Sequence, residues 1–431
     1  MAPKGKGNGK KKGKSKGNSK ETKFKATSDL YFPKEIIFDI LSRLPVKTLL
    51  RFRCVCKQWR KLISKPNFIA AHFRCSSSLQ RSGSSLIIGS LHQESNNHVL
   101  SLYNPPDSLV ELDNPFPCFF PNMYIVGPCN GIVCLFSPPW GELITLWNPA
   151  MKQYKMVQLS ESLPIQGLHS LASVGMAFDY QQNDLLVLRI FCVRLLSPVP
   201  NHIEMYSTKS GRWKKLKNEM IFYIGEFICN AIVKGVPYWL VCMPDKFGVR
   251  AVFMRFDVRK EVFEKLPSIG RRRQHQFLVD LEDSLCMLDW DHKDNCHIDV
   301  WVLDDVDGWS MQYSVGTPFR FDQILGCLRN GDIIAENDKG VVFLCDSITS
   351  SVKEKFSLDT KEGSYVVVDY SESLFLFGGM LPPCGPGPRA DNITSGLGVT
   401  GVSRAFVVQD ARLGQGPVSF VSPVDVGQSS N

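Results

Sequence analysis

Several stretches of this chain hold residue types that could do chemistry. Asp289-Trp290-Asp291-His292-Lys293-Asp294, with Cys296 and His297 close behind, gathers carboxylate, imidazole and thiol groups in one short run. A calcium loop would need Asp or Asn at its fifth place and Gly at its sixth, where this run has Lys293 and Asp294. A zinc site would need further ligands at ordered spacing. The run reads as a charged loop, and no metal is expected. Gly396-Leu397-Gly398-Val399-Thr400-Gly401 satisfies a dinucleotide fingerprint letter by letter, but that motif works only between a strand and a helix. Thr394-Ser395 precedes it and no helical pattern follows, so no cofactor is expected either.

The fourteen Cys include no CxxC pair, and most sit inside apolar runs such as Ile132-Val133-Cys134-Leu135-Phe136, where a reduced Cys behaves as a small hydrophobe. No disulfide framework is expected. No defensible Ser/His/Asp order appears, so the catalytic list is empty and the chain reads as a non-enzyme. What remains suits recognition rather than bond-making: Arg271-Arg272-Arg273 for an acidic ligand, with Trp140, Trp290 and Trp309 as aromatic anchors for a target. A solvated turn for the arginines and blade packing for the aromatics are the competing readings.

Charge is distributed unevenly. Of a net +8, residues 1–28 hold ten Lys and one Glu, so the remaining 403 residues sum to −1. A near-neutral body argues against a broad nucleic-acid groove. Lys10, Lys11, Lys12 and Lys14 form a candidate nuclear-import run, and the same tail leaves open a nucleic-acid-associated protein as the alternative function. No run of 18 apolar residues and no apolar leader occurs, so the expected location is the nucleus or the cytoplasm, with no membrane partner.

The elements that must position these groups fall into two texts. After Pro33, Ile36, Ile37, Ile40, Leu41 and Leu44 recur at helical spacing until Pro45; then Leu49, Phe52, Cys56 and Trp59 make a second stripe, continued by Leu62 and Ile63, and Pro66 opens a last short helix with Phe68, Ile69 and Phe73. About 45 residues cannot hide that much apolar surface alone, which implies a partner. The ordered run from Phe32-Pro33 through Arg43-Leu44-Pro45 and Phe52-Arg53-Cys54-Val55-Cys56-Lys57 to Trp59 and Leu62-Ile63 resembles an F-box, with Phe32 where the family usually has Leu. The resemblance implies that Pro33, Ile36, Ile40, Leu44, Pro45 and Leu49 dock on the Skp-type adaptor of a Skp, cullin and F-box ubiquitin ligase, through which cullin and RING subunits follow. It also implies that Trp59 and Ile63 hold the helices together.

From about Leu86 the text turns to short β-type runs. A strand ends in Asn, Asp or Ser, a polar turn follows, and an apolar residue returns about six positions later. The anchors Asn104, Asn148, Ser207, Asp257, Asp304 and Asp346 lie 44, 59, 50, 47 and 42 residues apart, which is propeller-blade spacing. Continuous apolar runs such as Gly235-Val236-Pro237-Tyr238-Trp239-Leu240 mark strands buried on both faces. A β-sandwich or irregular barrel is the competing reading.

Pro128-Cys129-Asn130-Gly131-Ile132-Val133-Cys134, Leu146-Trp147-Asn148-Pro149, Gly175-Met176-Ala177-Phe178-Asp179-Tyr180 and Tyr370-Ser371-Glu372-Ser373-Leu374 resemble, in this order, the F-box-associated interaction domain of plant F-box proteins, a kelch-like propeller. The expected organisation is α+β and multidomain: a disordered tail at 1–28, the helical F-box at 29–75, a linker at 76–85, an all-β propeller-like domain of about six blades at 86–378, and a mostly disordered Gly/Pro/Ser-rich extension at 379–431. The resemblance implies the substrate-recognition subunit of a ubiquitin ligase, binding an unidentified protein target through the β-domain.

Overall fold

The computed structural model describes residues 32–382 apart from 80–84, 92–97, 105–107, 116–122, 138–142, 159, 161–169, 194–199, 225–228, 246–247, 268–274, 292–293, 305–307 and 357–365. The 1–28 tail, the basic run Lys10–Lys12 with Lys14, Trp140, Arg271–Arg273 and the 396–401 glycines lie outside the described residues.

Four helices come first: α1 (Lys34–Ser42), α2 (Val46–Phe52), α3 (Lys57–Ile63) and α4 (Pro66–Leu79). Pro33 and Pro45 stand at the N-caps of α1 and α2, where the missing proline N–H costs nothing. The second apolar stripe is split, because the chain turns at Arg53–Val55 before Cys56 caps α3 by accepting a hydrogen bond from the Trp59 N–H at 3.4 Å. Helix α4 runs to Leu79, through Ser76, Ser77 and Ser78, which the sequence suggested as linker. Phe68 and Ile69, packed in the helical cluster, anchor the helix, whose serines alone would favour an earlier end.

Six antiparallel sheets follow. Blade 2 (strands between Tyr124 and Val157), blade 3 (Ser170–Leu216), blade 4 (Tyr223–Lys265), blade 5 (His275–Gly316) and blade 6 (Phe321–Phe356) are each consecutive in sequence. Blade 1 is not. Its three strands between Ser85 and Glu111 take their innermost partner from Val366–Tyr370, with Ile87 opposite Val368, so the two ends of the domain close one ring. Side chains from adjoining sheets interlock: Leu86 and Ile88 of blade 1 pack with Ile334, Val342 and Leu344 of blade 6, and Leu278 and Met287 of blade 5 pack with Phe253 of blade 4. Stacking of this kind buries both faces of sheets that could not do so singly. The buried Cys134 and Cys286 pack within this apolar interior, and burial pushes the Cys286 thiol up to about 12.

Each of the six anchors stands at the end of the third strand of its blade, and the side chains explain why. Asp257 Oδ1 accepts from the Arg259 and Lys260 N–H groups at 2.8 and 3.0 Å, Asp346 Oδ1 from Ile348 and Thr349 at 2.8 and 2.7 Å, and Ser207 Oγ from Ser210 at 3.0 Å. At Asn148, Ser207, Asp257 and Asp346 a short oxygen acceptor thus begins the turn.

Candidate functional site

Residues 371–382 leave the closing strand and run over blade 2 and onto blade 3. Asn148, fully buried, donates through Nδ2 to the Ser373 and Phe375 carbonyls at 3.0 and 2.9 Å, while its Oδ1 accepts from the Met151 N–H. Phe375 packs edge-on against Phe178 of blade 3 at 5.3 Å. Leu381 exchanges two backbone bonds with Tyr154 on the outer strand of blade 2. Gly379–Leu381, expected in the disordered extension, are therefore tied to the blade by backbone pairing. Gly131 permits the crossing: its φ is +74°, and a Cβ there would fall 2.3 Å from the Ser373 Cβ.

The helices sit on this strap. Leu41, Val46, Leu49, Ile63 and Phe68 form one apolar cluster with Met151 of blade 2 and Leu374 of the strap, supported by Leu376 and Ala150. The Val46 N–H donates to Glu372 Oε2 at 2.9 Å, and His72 Nε2 lies 2.9 Å from the Leu44 carbonyl. Burial lowers the His72 pKa, leaving the ring neutral; the carbonyl then requires Nε2 to carry the proton.

Several large apolar side chains of the helical region are left open to solvent. Ile36 and Ile40, 46% and 52% exposed and four residues apart, share one line along α1, and Phe32, 54% exposed, lies just before its Pro33 N-cap. Val55 is exposed as well. Of the expected docking residues, Pro33, Ile36, Ile40 and Pro45 are exposed and Leu44 is half-buried. Leu49 is a correction: at 0% exposure it is packed among Val46, Ile63 and Phe68 and holds the helices on the propeller instead of presenting a surface. Trp59 lies against Phe52 at 5.1 Å and Ile63 is buried, both within the helical cluster. Phe32 and Val55 join the exposed apolar residues although both lie outside the helices, where helical spacing does not single them out.

The aromatic anchors fare differently. Trp290 is a second correction. It is 5% exposed, stacked on His275 at 5.4 Å and edge-on to Phe321 of blade 6, so it fills the joint between two blades. Trp309 is half-buried, with Nε1 donating to the Pro267 carbonyl at 2.8 Å and its ring on Phe253 at 5.2 Å.

In the central channel, a cavity of about 150 Å³ is lined by innermost-strand residues including Val279, Asp280, Cys327, Val368 and Asp369, together with Arg329. The Arg329 guanidinium lies 3.7 Å from Asp280, 3.7 Å from Asp283 and 3.4 Å from Asp369, joining blades 5 and 6 to the closing strand. Burial pushes the Asp280 carboxyl up to about 6, against the opposing pull of Arg329. A carboxyl raised in this way holds more protons folded than unfolded, so it withdraws stability as pH climbs from 3.8 to about 6. Asp280→Asn is therefore expected to stabilise the fold by about 1–3 kcal/mol at neutral pH, with the gain fading to nothing by about pH 4. Urea unfolding at the two pH values measures it, and an equal effect at both contradicts the account.

No group of three or more His, Cys, Asp or Glu side chains that could hold a metal occurs among the described residues, and no described helix is long and apolar enough to cross a membrane.

Comparison with known proteins agrees with this architecture. The F-box domain family matches residues 30–70, and the F-box associated beta propeller domain family matches residues 91–374. An F-box/kelch-repeat protein of Arabidopsis thaliana is 26% identical over 311 residues, covering 68% of this chain and 82% of the relative. An Arabidopsis thaliana F-box protein is 23% identical over 355 residues, covering 79% and 86%. Another, F-box/WD-40 repeat-containing protein 1, is 26% identical over 306 residues, covering 66% and 69%.

Proposed function

Since this chain belongs to the F-box proteins that carry an F-box associated beta propeller domain, we propose that it is the substrate receptor of a Skp–cullin–F-box ubiquitin ligase. Proteins of this family are adaptors rather than enzymes, and the F-box implies binding to a Skp-type adaptor. In this reading the exposed line Phe32, Ile36 and Ile40, with Pro33, Pro45 and the edge of Leu44, buries itself on the adaptor. The propeller holds a protein target, and cullin and RING subunits join through the adaptor. The chemistry is proximity: lysines of the target are held near a ubiquitin-charged enzyme that carries out the transfer.

One observation carries the reading. Helix α1, which buries Leu41 in the cluster with Met151 and Leu374, still leaves Ile36 and Ile40 in water, with Phe32 exposed just before its N-cap. Singly exposed hydrophobes are ordinary, but a line of them on one helix marks an interaction surface. Work in the nucleus or cytoplasm belongs to the same proposal. The test is reconstitution: purified chain and Skp-type adaptor should elute as one stoichiometric complex, and separate elution at micromolar concentration overturns the proposal.

A further inference from the structure

We propose that Glu372 is a positioning residue: it fixes the orientation of the F-box helices on the propeller and thereby selects which lysines come within reach of ubiquitin transfer. The inference rests on the substrate-receptor reading above.

Helix α2 begins at Val46, and its N-cap, Pro45, has no side chain able to accept a hydrogen bond. The first N–H groups of a helix lack partners within it and need an outside acceptor. Glu372 supplies that acceptor from the far end of the chain, with Oε2 2.9 Å from the Val46 N. Glu372 lies two residues beyond Tyr370, the last residue of the ring-closing strand. The link therefore runs from the seam of the ring directly to the helix that follows the exposed stripe.

An apolar cluster makes up much of the joint. Leu374, Leu376, Ala150 and Met151 meet Leu41, Leu49 and Phe68. Apolar burial holds surfaces together without direction, whereas a hydrogen bond to a carboxylate sets distance and angle. The strap is tied to blade 2, because Asn148 holds it on both sides of Leu374 through the Ser373 and Phe375 carbonyls. Glu372 is consequently a directional contact on a base anchored to the propeller. Where the helices point, the adaptor points, and proximity catalysis depends on that aim.

The experiment compares wild type, Glu372→Ala and Glu372→Gln in the full chain bound to its adaptor, with a reconstituted ligase and mass-spectrometric mapping of the receptor's own ubiquitinated lysines. Gln keeps an oxygen that can accept from Val46; Ala does not. For Ala we expect amide exchange across the start of α2 to speed up on the order of tenfold, while blade amides and adaptor affinity stay within about twofold. The mapped lysines should spread from the wild-type subset to sites around the propeller. Gln should restore both the slow exchange and the wild-type subset. An unchanged lysine pattern in Ala overturns the proposal, and so does a Gln variant that behaves as Ala does. If Ala fails to fold, Glu372→Met, which fills the space without an accepting oxygen, takes its place: a spread pattern supports the acceptor role and the wild-type pattern refutes it. Loss of adaptor binding in wild type would instead strike the receptor reading itself.

Discussion

Ile36→Asp combined with Ile40→Asp is expected to abolish co-purification of the Skp-type adaptor while leaving the propeller folded. Both side chains are about half exposed and stand outside the buried cluster that seats the helices, so two carboxylates there cost the isolated protein little. In the complex the same carboxylates would have to enter an apolar interface without partners, at several kcal/mol each. Central interface anchors commonly lose 2 kcal/mol or more on truncation alone. Together the two changes should weaken the adaptor complex by at least about a thousandfold, read by calorimetry, with thermal unfolding of the propeller unchanged. An affinity within tenfold of wild type would remove α1 as the docking element. Leu44→Asp would be a poorer choice: Leu44 is half-buried in the helical cluster and its carbonyl is held by His72, so a lost complex could reflect a lost fold.

The helical stripe and the blade rhythm were both legible because they are local. Spacing of Ile36, Ile37, Ile40 and Leu41 depends on the turns of one short helix, and the anchors Asn148, Ser207, Asp257 and Asp346 each answer to a turn formed by immediate neighbours. Ring closure was not legible. Val366-Val367-Val368 reads like any short strand, and nothing in its composition says that its partner is Ser85–Leu91 at the other end of the domain. The strap was hidden for the same reason. Ser371-Glu372-Ser373-Leu374 was recognised as a family phrase, but its work is done through Asn148, Gly131 and Val46, all distant in sequence.

The misjudged residues share one cause. Leu49 and Trp290 are large side chains that suit an interface and a core equally well, and only the third dimension separates the two. Leu49 lies on the inward side of its helix because Met151 and Leu374 cover the cluster there. Trp290 lies inside because blade 6 presents Phe321 to it.

A charged pair inside blade 3 yields the largest stability effect. Arg189 and Glu204 face each other across neighbouring strands, are both fully buried, and meet at 2.6 Å. The guanidinium also lies 4.8 Å from the Phe191 ring centroid and 4.7 Å from that of Trp213, whose indole Nε1 donates to the Gln158 carbonyl in the segment leaving blade 2. Ser160, from that same segment, donates to Glu204 Oε1 at 3.1 Å, and His202 Nε2 lies 2.9 Å from it. Glu204→Leu takes the carboxylate away from a buried guanidinium, at a cost of about 3–5 kcal/mol and a melting temperature lower by on the order of 10 °C. Adding Arg189→Met removes the buried guanidinium that has lost this carboxylate, so the double variant should regain at least half of that loss. Thermal and urea unfolding of the two single variants and the double one measure the coupling. Simple additivity would mean that the pair acts through packing, whereas recovery would show that the cost lies in the lost pairing of the two charges. The same join carries Phe178, on which the strap packs through Phe375, so an opened blade 3 should loosen the F-box seat before the ring itself gives way.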